Sequence, residues 1–148
     1  MTTITLNEWR LSPQIMIGEK ERQRVEIAAM TDTDHSADHV DFLLYELDRA
    51  KVVPDAMLPG DVVRIGSLVR YRPLMEDERT VKLVMPEGSV GRGAYRLSVV
   101  SEHGAVLLGT RPGDIMTWTD PSGAQQRLRV ISVYNPPADG NNYPPPAA

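Results

Sequence analysis

Apolar residues change their period once along this chain. From Glu19 to Met30 the segment EKERQRVEIAAM is made of good helix formers without Gly or Pro. Val25, Ala28 and Ala29 fall at i, i+3 and i+4, one stripe of a helix. TDTDHS breaks this helix. Ser36 is placed to cap the next one, with Asp38 in its first turn, where the helix dipole favours a carboxylate. ADHVDFLLYELDRAK then carries Val40, Leu43, Leu44 and Leu47 at i, i+3, i+4 and i+7. Arg49 and Lys51 lie in its last turn and Pro54 stops it. Two helices with a short polar connection predict an antiparallel hairpin, its arms about 18 and 24 Å long.

After Pro59-Gly60 the period becomes two. VVRIGSLVRYR, RTVKLVMP, YRLSVVS, DIMTWT and QRLRVISVY are five strand candidates bounded by Gly, Pro, Asp and Ser. QIMI near the N-terminus is a shorter sixth. Between the third and fourth of the five stands GAVLLG, too short for an ordinary helix and fenced by Gly104 and Gly109. It predicts a two-turn helix packed on the sheet, with Gly109 as its C-terminal cap and Leu107 and Leu108 in the core. RPGD and DPSG read as turns, and Trp118 as a sheet residue with one face buried. The fold class is therefore α+β: a short N-terminal antiparallel helical hairpin, then an antiparallel sheet domain with one short helix. The divisions are an N-terminal segment 1–18, the hairpin 19–53, the sheet domain 54–137, and a Pro-rich tail 138–148 with the composition of a flexible segment.

Composition adds limits. The 148 residues have ordinary hydrophobic and charged fractions and no cysteine, which excludes disulfides and thiolate metal sites. No signal peptide or membrane span is visible, and a cytoplasmic location is expected. The net charge of −4 divides into −5 over residues 1–60 and +1 over 61–148. The acidic first part argues against general nucleic-acid binding and favours a protein partner. His35 and His39 have the i, i+4 spacing of a helical metal pair, but no third ligand is evident. GSVGRG lacks the Lys-Ser/Thr of a P-loop, and no nucleophile elbow is present. Neither a metal nor a cofactor is expected.

LDRAKVVP, DVVRIGSLVRYR, VKLVMPE, LSVVSEHGAVLLGTRPGD and LRVISVYNP, in this order and spacing, resemble the Rnk proteins, regulators of nucleoside diphosphate kinase and relatives of the Gre transcript-cleavage factors. The resemblance covers about residues 15–137. It implies an FKBP-like fold for the sheet domain and a coiled-coil hairpin. It also implies binding to RNA polymerase at the rim of the secondary channel, in competition with Gre factors, without catalysis or sequence-specific DNA binding. The block matching 101–109 helps dock the Gre relatives, which makes Ser101, Glu102, His103, Gly104 and Arg111 the polymerase-binding candidates. The first three are expected on an exposed loop entering the helix. Glu102 stands where the family usually has Pro, and His103 replaces an apolar residue. Asp32 and Asp34 lie at the hairpin tip, where Gre factors carry acidic residues that help hold Mg²⁺ in the polymerase active site. Helices this short predict a tip that stops before that metal. Two other readings stand beside this one. An FKBP-like fold allows a peptidyl-prolyl isomerase, but Tyr71, Tyr95, Trp118 and Tyr134 give no sign of converging on a pocket. The family name allows direct action on nucleoside diphosphate kinase, which an effect through transcription would equally explain.

Overall fold

In the computed structural model, residues 13–32, 37–89 and 95–136 are described. Strand β1 (Met16–Gly18) runs into helix α1 (Glu19–Thr31), followed by α2 (Ala37–Arg49) and strand β2 (Lys51–Val53). Then come β3 (Leu68–Pro73), β4 (Arg79–Val84), the one-turn helix α3 (Pro86–Ser89), β5 (Arg96–Ser98), α4 (Glu102–Leu107), β6 (Ile115–Thr119) and β7 (Gln125–Tyr134). The five strands read from period-two alternation form one sheet in the order β5-β4-β3-β7-β6.

The sequence reading needs four corrections. The sheet is mixed, because β4 and β5 pair in parallel, which needs a crossover connection rather than a hairpin between them. Helix α2 ends at Arg49, and Lys51 belongs to β2, which pairs in parallel with β1. Residues 61–67 form turns before β3 begins at Leu68, with Gly66 at φ +96°. Besides α4, the sheet part holds α3 and a 3-10 turn at Asp55–Met57.

Local chemistry explains how β1 and α1 are held. Asp55 Oδ1 accepts from the backbone N–H of Lys20 at 2.9 Å, so a distant carboxylate satisfies an orphan donor at the start of α1. Gly18 permits this, since a Cβ there would fall on the Asp55 carboxylate. The C-cap of α4 is Leu108, whose N–H bonds Gly104 O at 3.2 Å, and not Gly109 as expected; Gly109, at φ +78°, lies in the turn just beyond, with its own N–H on Val63 O at 2.9 Å. Met16 donates to the Gly109 carbonyl at 3.1 Å, and a Cβ at 109 would strike the Ile15 side chain. The second glycine of the fence therefore lets β1 lie against the end of α4.

One core joins helices and sheet. Ile15, Ile17, Val25, Leu43 and Leu47 are buried in the same cluster as Tyr71, Leu83, Val106, Leu107, Met116 and Leu128. Two carboxylates enter it. Glu21 Oε1 accepts from the Ile65 N–H at 2.8 Å. Glu46 forms a salt bridge with Arg49, whose Nη2 also donates to Pro13 O at 2.6 Å. Burial raises the pKa of both, opposed in Glu46 by the Arg49 guanidinium. No helix among the described residues is long and apolar enough to cross a membrane.

Candidate functional site

Helix α4 is built by hydrogen bonds that its sequence specifies. Ser101 is its N-cap: the hydroxyl accepts from Gly104 N at 3.2 Å and donates to Ser98 O at 2.6 Å. A Cβ at residue 104 would land on that same Ser98 carbonyl oxygen, so only glycine lets the helix start this close to the end of β5. Glu102 Oε2 accepts from Trp118 Nε1 at 2.8 Å, tying α4 to β6.

His103 departs from expectation. Its Nδ1 shares a hydrogen bond of 2.9 Å with the Tyr71 hydroxyl, and its ring stands edge-on to both Tyr71 and Trp118. The sequence placed it on an exposed loop; it is half-buried and wedged between two aromatic rings. Tyr71 and Trp118, expected not to converge, converge on this imidazole. Burial raises the pKa of the Tyr71 phenol, and the Arg79 guanidinium opposes that rise. Burial, the largest influence, holds the His103 pKa below its ordinary value.

The sign of the resulting pH effect is definite. A neutral imidazole is favoured in the folded protein, so the unfolded chain binds more protons between the two pKa values. His103 therefore withdraws stability as pH falls below about 6.5. His103→Phe should reduce that acid-side loss relative to wild type. It should also cost about 1–3 kcal/mol at neutral pH, because the buried Tyr71 hydroxyl loses its hydrogen bond to His103. Thermal melts of both proteins from neutral to mildly acidic pH check this; parallel profiles would contradict it.

The remaining candidates do not gather into one site. Arg111 lies beyond α4, half-exposed, with Nε and Nη2 3.2 Å from the two Asp61 oxygens, while its backbone N–H bonds Asp114 Oδ2 at 2.9 Å in the RPGD turn. Asp32 caps the C-terminus of α1. Asp34 and His35 lie outside the described residues, as do the expected Ser36 cap and the tail. Among the described residues no group of three or more His, Asp or Glu could hold a metal ion. Sequence reasoning missed the burial of His103, but its spacing held the signal: His103, Val106 and Leu107 form an i, i+3, i+4 stripe.

The family model described as "Transcription elongation factor, GreA/GreB, C-term" matches residues 58–135, a span that includes Ser101–Arg111. The Escherichia coli (strain K12) protein "Regulator of nucleoside diphosphate kinase" is 32% identical over 130 residues, 87% of this chain and 96% of that protein. The chain belongs to the GreA/GreB family, in its Rnk branch. A solved GreA/GreB-family structure, "Prokaryotic transcription elongation factor GreA/GreB from Nitrosomonas europaea", superposes with a TM-score of 0.62 at 34% identity, covering 83% of this chain and 99% of that one. The Thermus aquaticus "Transcription inhibitor protein Gfh1" is 32% identical over 97 residues, 64% of this chain and 60% of that protein. Within this GreA/GreB-family chain, the C-terminal family match takes in β3–β7 and α4 but neither long helix.

Proposed function

We propose that this protein is a non-catalytic transcription regulator that binds RNA polymerase at the rim of the secondary channel and competes there with Gre-type factors. The observation that carries this reading is the match to the GreA/GreB C-terminal family over 58–135, joined to similarity over most of the chain with an Rnk protein. In this proposal the FKBP-like sheet domain anchors the protein, and helices α1 and α2 form a short hairpin that points into the channel. A contact between opposite ends of the pair favours the antiparallel arrangement: Arg22, early in α1, donates to Leu47 O, late in α2, at 3.2 Å.

Reach decides between aiding and blocking transcript cleavage. Each helix has 13 residues, hence a length of about 20 Å. Carboxylates contribute to Mg²⁺ only at about 2.0–2.1 Å. A short arm leaves Asp32 and Asp34 outside that distance and leaves the field of their charge, which fades over about 8 Å at physiological salt. The names of two relatives, a transcription inhibitor and a regulator of a kinase, fit a factor that occupies the channel without stimulating cleavage. Against the isomerase alternative, Tyr71 and Trp118 are buried and packed edge-to-face with His103 rather than lining an open pocket.

Much of the 101–104 segment holds the fold together, which leaves Arg111 as the candidate whose side chain offers charge to a partner. Arg111→Ala should weaken binding of purified RNA polymerase several-fold while changing stability by less than about 1 kcal/mol, as for an exposed ion pair. Surface-immobilised polymerase titrated with both proteins checks this; unchanged affinity would move the anchor elsewhere.

A further inference from the structure

The outer face of the five-stranded sheet is unlike the rest of the molecule. Residues directly opposite across a ladder point the same way. Val69, Tyr71, Val81, Leu83, Leu128 and Val130 point inward and are buried. The alternate positions point outward: Arg96 beside Lys82, Arg70 between Thr80 and Ser132, Arg72 beside Arg129, and Arg127 beside Thr117. Six basic side chains thus share one face of a protein whose net charge is −4. No outward position of the five strands carries a carboxylate. Glu78, just before β4, bonds Arg70 Nε at 2.8 Å. Among the described residues no carboxylate pairs with Arg72, Lys82, Arg127 or Arg129.

Two of these contacts oppose folding. Arg72 faces Arg129 and Lys82 faces Arg96 directly across their ladders, and like charges in that position destabilise a sheet. An anionic partner would offset the repulsion. The chemistry of the face selects among anions. Protein interfaces have cores depleted in charge and built on apolar anchors, whereas at the paired positions of this face the accessible apolar side chains are the half-exposed Ile115 and the partly buried pair Leu68 and Tyr134. Protein–DNA interfaces are strongly positive and polar. Arginines about 7 Å apart along a strand and about 5 Å apart across strands can meet successive phosphates, and hydroxyls such as Thr80, Thr117 and Ser132 suit phosphate oxygens. Single-strand binders add aromatic platforms for stacking; the aromatic residue at an outward strand position is Tyr134, which is partly buried.

We infer that the outer sheet face binds the phosphate backbone of duplex DNA without reading its sequence. The inference is independent of the polymerase reading. It also reverses an expectation from charge totals, because period-two sorting collects on one face what a sum over residues 61–148 reduces to +1.

The test is fluorescence anisotropy of the full chain with a short labelled duplex across a salt series. Binding at low salt is expected, with log K falling against log salt at about −0.9 per phosphate neutralised. Arg72→Gln/Arg129→Gln should weaken binding at least tenfold and flatten that slope by about 2. The same variant should melt no lower than wild type, because a like-charge pair has been removed. Absence of binding at low salt, an unchanged slope in the variant, or preference for single-stranded RNA or polyglutamate over the duplex would each overturn the inference.

Discussion

Arg49→Met is expected to destabilise the protein by about 3–5 kcal/mol, the usual cost of leaving one member of a buried ion pair behind. Glu46 is 1% exposed and sits on α2 among Phe42, Leu43 and Leu47. Its carboxylate is held by Arg49, which also bonds Pro13 O just before β1. Methionine matches the aliphatic stem of arginine but supplies no donor. Glu46 must then stay charged without a partner or take up a proton. Its pKa, already raised by burial and opposed by Arg49, should rise further. A raised folded-state pKa means that the folded protein holds the extra proton, so the variant should lose stability as pH rises through that range and regain part of it toward pH 5. Denaturant unfolding of wild type and variant at two pH values measures both effects. A loss below about 1 kcal/mol, as for an exposed pair, would contradict the buried-pair account.

Leu107→Ala should cost about 2–5 kcal/mol. Leu107 is fully buried in α4, within the cluster that joins the helices to the sheet. The spread in cost reflects how far the neighbours can collapse, and here they are constrained. Gly104 fixes one end of α4 against Ser98, and Gly109 fixes the other against β1. A cavity should therefore remain, which places the expected loss in the upper part of the range. Chemical denaturation with an unchanged m-value is the check; a loss under about 1 kcal/mol would mean that the site is loosely packed.

The legibility of this fold in its sequence follows from the range of the interactions that make it. Strands β3, β4, β6 and β7 and helices α1 and α2 announce themselves because each repeats its own period over several residues. The RPGD and DPSG turns were readable because Gly113 and Gly123 need positive φ, which they adopt at +93° and +92°. Strands β1 and β2 hold three residues each. QIMI hinted at β1, but three residues are too few to show a period, and the parallel pairing of β1 with β2 depends on the Gly109 and Asp55 contacts, which are distant in sequence. Glu46 was hidden by its residue type, since carboxylates are almost never buried without a partner. Its spacing from Phe42 and Leu43 nevertheless placed it on the buried face. His103 was misplaced because it was read as part of the loop entering α4, whereas it lies in the first turn of the helix on the stripe of Val106 and Leu107. The candidate docking residues were expected as a block; their tasks within the fold appeared only with their partners: Ser98 for Ser101, Trp118 for Glu102 and Tyr71 for His103.

The central claim, a polymerase-binding factor that competes with Gre proteins without assisting cleavage, is tested most directly on a stalled, backtracked elongation complex with labelled RNA. Increasing amounts of the full chain are added with and without a Gre cleavage factor. The expected result is a dose-dependent slowing of Gre-stimulated cleavage and no stimulation by the chain alone. Cleavage accelerated by the chain itself, or Gre-stimulated cleavage unaffected at saturating amounts, would contradict it.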